Sequence, residues 1–147
     1  MGVATLSDLL RTPKSVIEMT EDGAVQVVRR DGPDLVLLKA EDLAAQREGL
    51  ELASRVMRAL LARGGDAKGA LLGLFGWAAL FTEDELGEFA DEMERLVWSA
   101  AELNAYGALL ERFRRWEGTA EAYAAGMPRG DGSDLTWLEE PVPVDRP

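Results

Sequence analysis

Apolar and polar positions along the chain change their period several times, and each change marks an element. A short apolar start, Ala4–Leu6, is followed by Thr12-Pro13, a helix-entry signal with Thr12 as N-cap and Pro13 in the first turn. The helix it opens buries Val16, Ile17 and Met19 and stops at Gly23. Two β-branched or leucine-rich runs come next, Ala24–Arg30 and Asp34–Lys39. Asp31-Gly32-Pro33 joins them and predicts a hairpin with a loop of three or four residues. From Glu41 to Arg63 the spacing returns to that of a helix, with Leu43, Leu50, Ala53, Met57, Leu60 and Leu61 on roughly one face. Gly49 weakens this helix by about 1 kcal/mol relative to alanine.

The stretch Gly64–Gly69 reads as a linker. Ala70–Phe81 is the longest apolar run and predicts a buried or partner-facing helix. Thr82-x-x-Glu85 is a capping box opening a long helix whose Leu86, Phe89, Met93, Leu96, Val97 and Ala100 form a stripe. A third helical segment, Ala108–Ala125, aligns Leu109, Phe113, Trp116, Ala120 and Tyr123. Gly126–Pro147, with its prolines, glycines and charges, predicts an extended or disordered tail. The expected fold class is α+β: residues 1–63 as one unit, 64–69 as linker, 70–125 as a helical partner-binding region and 126–147 as tail.

Composition narrows the chemistry. The 147 residues contain neither histidine nor cysteine, which excludes disulfides, thiolate nucleophiles, His-bearing metal sites and a Ser-His-Asp relay. No glycine pattern forms a phosphate loop. The acids between Glu83 and Glu94 lack the loop oxygens of a calcium site and read as a solvated helix face. The expectation is no enzyme, no metal and no cofactor. Apolar runs are too short for a membrane span, and Ser7, Asp8 and Arg11 interrupt any leader-like start, so a cytoplasmic protein without membrane contact is expected.

Charge is uneven. The formal total is −11, yet residues 1–63 carry 9 basic and 10 acidic side chains against 7 and 17 in residues 64–147. The total therefore says nothing against nucleic acid binding by the first half. Its candidate anion-binding set is Arg11, Lys14, Arg29 and Arg30, for which plain surface charge is the competing reading. The second candidate is aromatic: Phe113, Trp116 and Tyr123 share a face beside Arg112, Arg114 and Arg115, with Trp137 farther on. Such a stripe fits either core packing or a partner-binding helix.

The stretches VATLSDLLRTPKSVIEMTEDG and VQVVRRDGPDLVLLKAEDL resemble the N-terminal domain of prevent-host-death (Phd/YefM) antitoxins of type II toxin–antitoxin systems. About residues 76–147, including Trp116-Glu-Gly-Thr119-Ala120-Glu121-Ala-Tyr123, are similar to the C-terminal region of actinobacterial relatives. The resemblance implies a homodimer that binds operator DNA and represses its operon, while the C-terminal part neutralises a cognate toxin. It places Leu6–Lys14 and Arg29–Arg30 on or near DNA, and Leu35–Leu38 with the helix from Leu43 in the dimer core. Phe113, Trp116, Ala120, Tyr123 and Trp137 then become toxin contacts. Helices over 70–125 depart from the short tails common in the family. The alternative expectation is a dimeric interaction adaptor without DNA binding.

Overall fold

The structure is a computed structural model, and residues 1–130 are described. Trp137 and the tail expectation from residue 131 onward lie outside the described residues. The architecture is α+β and mostly helical, with one small sheet.

Strand β1 (Gly2–Thr5) leads directly into helix α1 (Leu6–Arg11), then α2 (Pro13–Glu18) and a 3-10 turn, Met19–Asp22. Strands β2 (Val25–Val28) and β3 (Leu35–Leu37) complete the sheet, in the order β1-β2-β3. β1 and β2 are parallel, with Thr5 opposite Val28, whereas β2 and β3 are antiparallel, with Val25 opposite Leu37. A parallel pair needs a crossover, and the α1–α2 segment supplies it. One sheet face buries Ala4, Val25 and Val27, and this small core includes Val16 of α2, with Leu9, Met19 and Leu37 packed around it. The register puts Val3, Gln26, Val28 and Val36 on the opposite face, where the three valines stay exposed.

The first helix differs from the expected one. Thr5 and Asp8 form a capping box, with Asp8 N–H donating to Thr5 Oγ1 at 3.1 Å and Thr5 N–H to Asp8 Oδ2 at 2.9 Å. That box starts a helix seven residues before Pro13, so two short helices occupy the span. Thr12 precedes Pro13 as foreseen but makes no side-chain cap; its hydroxyl donates back to the Asp8 carbonyl at 3.0 Å. The hairpin loop is also longer, running from Arg29 to Asp34, because Asp34 closes it from within. Its carboxylate accepts from Arg29 N–H at 3.1 Å and from Gln26 Nε2 at 2.7 Å.

Helix α3 (Ala40–Ala62) leaves the sheet and joins the main core. It buries Gly49, Leu52, Ala53, Val56 and Leu60, while Leu43, Leu50 and Leu61 of the expected stripe are exposed. A short turn follows, and Asp66 caps α4 (Ala67–Leu74) through Gly69 N–H, so most of the expected linker is helix entry. A 3-10 turn, Gly76–Leu80, breaks the apolar run that had been expected to form one helix. Thr82 and Glu85 form the anticipated capping box of α5 (Glu83–Leu103). Asn104, in the left-handed region, ends α5, and α6 (Tyr106–Ala124) returns across α3. At the crossing Gly49 lies against the Tyr106 carbonyl with no room for a Cβ, and Tyr106 N–H donates to Gln46 Oε1 at 3.1 Å.

Candidate functional site

The parallel β1–β2 pair decides what the basic residues can do. Because both strands end on the same side, the start of α1 and the Arg29–Arg30 segment emerge together. Thr5, Leu6, Ser7, Val28, Arg30 and Asp31 line a cleft of about 330 Å³ there. Arg30 is exposed at its rim. Arg29 is half-buried, its guanidinium folded over Gly32. Arg11 and Lys14 are exposed on either side of the Thr12 junction. Arg11 ends α1, about 8 Å along from its start by helical rise, and Lys14 follows in the first turn of α2. Among the described residues, none of these four cations forms an ion pair. Two acids stand at this end, Asp31 in the cleft lining and Asp8 in the first turn of α1. For Asp8 the cap decides its state. Hydrogen bonds from the Thr5 side chain and backbone hold its carboxyl below the usual value, so it stays charged and committed to the cap.

The aromatic set has a different fate. Phe113 and Ala120, expected as toxin contacts, are buried at 9% and 1% exposure. The Phe113 ring lies 4.8 Å from Phe75 and 5.6 Å from Trp77, centroid to centroid. Of the two readings of the stripe, the structure realises core packing at these positions. The reason is that α6 is not a terminal appendage but the element that closes the core over α3 and the 3-10 turn. Trp116 is half-buried against Phe81 and Phe89, and its Nε1 donates to Glu92 at 2.7 Å. Tyr123 is half-buried, with its hydroxyl donating to Glu85 at 2.6 Å. The neighbouring arginines are engaged too: Arg112 with Glu92 at 3.4 Å, Arg114 with Glu48 at 2.6 Å and Arg115 with Glu111 at 2.8 Å.

Glu85 is a junction that sequence reasoning missed beyond its capping role. It accepts from Thr82 N–H at 2.8 Å, from the Tyr123 hydroxyl and from Arg129, whose guanidinium nitrogen lies at 3.1 Å. Burial, the largest single influence, pushes its carboxyl upward. The hydrogen bonds from Tyr123 and Thr82 and the charge of Arg129 together outweigh it and leave the group below its usual value. The only sequence signal for this site was the T-x-x-E spacing; Arg129 was 44 residues away and grouped with the tail.

Among the described residues no group of three or more acids is placed to hold a metal, and no helix is long and apolar enough to cross a membrane. No family model, curated protein or solved structure matches the chain.

Proposed function

We propose that this chain is a homodimeric antitoxin of the Phd/YefM type, which binds operator DNA through its first unit and neutralises a cognate toxin through its acidic second part. The observation that carries the reading is the meeting of the α1 start with the Arg29–Arg30 turn at one end of the sheet, with Arg11 and Lys14 further along the same crossover and all four cations free of ion pairs among the described residues. Two copies would present eight such cations, enough for a phosphate-binding surface. The unpartnered valines of the outer sheet face, Val3 at 60% and Val36 at 58% exposure beside Val28, support pairing with a second copy.

The partner side of the reading rests on charge rather than on the aromatic stripe. The second part carries 17 acids against 7 bases, which suits a toxin with a cationic, RNA-handling cleft. Phe113 and Ala120 serve the fold and are not assigned to the toxin. The alternative is a dimeric adaptor without DNA binding; the burial of Phe113 and Ala120 bears on both readings alike, since α6 is a free docking helix in neither.

Reversing charge at Arg29 and Arg30 together separates the two. An antitoxin loses affinity for the DNA upstream of its own gene by at least a hundredfold and stays dimeric. An adaptor shows no DNA binding to lose. Co-expression with the small protein encoded beside it tests the other half: growth arrest by that protein alone, relieved by this chain, is the expected result, and persistent arrest refutes neutralisation.

A further inference from the structure

Among the described residues, the segment after α6 is bound to the fold by one side chain. Helix α6 ends in a reversal in which Gly126 N–H donates to the Tyr123 carbonyl and Met127 N–H to the Ala122 carbonyl, both at 3.0 Å. Gly126 takes φ +84°, a conformation that turns the chain back toward α5. Met127 and Pro128 then stay exposed, so no apolar contact anchors the segment. Among the described residues, Arg129 supplies its side-chain contacts. Its Nη1 meets Glu85 Oε2 at 3.1 Å, its Nη2 donates to the Leu80 carbonyl, and its Cζ stacks 4.3 Å over the Tyr123 ring. Beneath that ring lies Phe81, edge-on at 6.3 Å and itself against Trp116 at 5.4 Å.

We propose that Met127–Gly130 is a strap, clasped by Arg129 onto Glu85, Leu80 and Tyr123, that shields the Tyr123–Phe81 edge of the helical core and opens as a unit when the clasp is released. Three interactions of different kinds converge on one guanidinium, a planar fork that lysine cannot reproduce. Because the side-chain contacts that hold it among the described residues converge on Arg129, release of that one guanidinium frees the strap, which is then closed over the aromatic edge or open. The inference is independent of the antitoxin reading, because it uses only contacts within this chain.

The test uses the full chain and two readouts. Trypsin cleaves after Arg129 only from the open strap, so the cutting rate at Arg129–Gly130 reports the open population. Glu85→Gln keeps an acceptor for the α5 cap but removes the charge that faces Arg129. The wild-type bond is expected to be cut far more slowly than in a synthetic peptide spanning residues 125–135. Glu85→Gln and Arg129→Lys should each raise the rate about tenfold, more than any lowering of the main thermal transition accounts for. Nitration of Tyr123 by tetranitromethane, followed by peptide mapping, should accelerate in Arg129→Ala. A wild-type rate equal to that of the peptide, or variants that leave cleavage and nitration unchanged, would overturn the proposal.

Discussion

At the scale of single residues, two glycines in long helices make opposite demands. Gly49 is a contact surface: a Cβ there would collide with the Tyr106 carbonyl. Gly49→Ala is therefore expected to lower stability by about 2 kcal/mol despite alanine's better helix propensity, as read by urea unfolding. Gly118 of α6 has nothing within 4 Å of the corresponding position. Gly118→Ala should raise stability by about 0.5–1 kcal/mol in the same experiment. Sequence reading recorded Gly49 only as a weak point, because a helical glycine carries no mark of the backbone that will cross it. Glu85 yields a pH prediction with a definite sign. Its carboxyl is held below its unfolded value, so it contributes stability above that value, and the contribution fades as pH falls through the lowered folded value. Replacing Glu85 by Gln should flatten the acid limb of a stability–pH profile; an unchanged limb would deny the group that role.

At the scale of elements, periodicity located the helices better than it oriented them. α5 carried one clear stripe, and Leu86, Phe89, Met93, Val97 and Ala100 are all buried. Of the face expected on α3, Ala53 and Leu60 are buried, while Leu43, Leu50 and Leu61 are exposed. The buried face is completed by Gly49, Leu52 and Val56, and Gly49 lets α6 approach closely. Nothing local rotates the face in this way; the crossing helix does. The same tertiary choice placed Phe113 inside. Phe113→Ala should cost about 3–5 kcal/mol in chemical unfolding, as deletion of a buried ring does. Leu61→Ala, at 74% exposure, should cost less than about 0.5 kcal/mol. Equal costs would show that the stripe had been assigned to the wrong face. The two short helices before β2 were half legible: Pro13 marked the second, while the Thr5–Asp8 box that starts the first was present in the sequence and went unread.

At the scale of the whole molecule, charge and packing divide the labour. In the helical part Lys68, Arg112, Arg114, Arg115 and Arg129 sit in ion pairs, so most of its basic residues after residue 63 are committed within the fold. Exposed pairs of this kind add little stability, but they leave the local acid excess as the face presented outward. In the sheet unit Arg11, Lys14, Arg29 and Arg30 remain uncommitted among the described residues, around a sheet whose outer valines lack cover. The sequence alone indicated the uneven charge; it could not indicate which cations would be neutralised, because that depends on partners up to 66 residues away, as for Arg114 and Glu48. The central proposal, a dimer reading operator DNA, is tested most directly by titrating the DNA upstream of its own gene over a series of salt concentrations. If all eight cations of a dimer meet phosphates, the log–log slope should approach about −7, and it should fall to about half that in the double Arg29, Arg30 charge-neutral variant. Absence of binding at low salt, or a slope that the arginine substitutions leave unchanged, would contradict it.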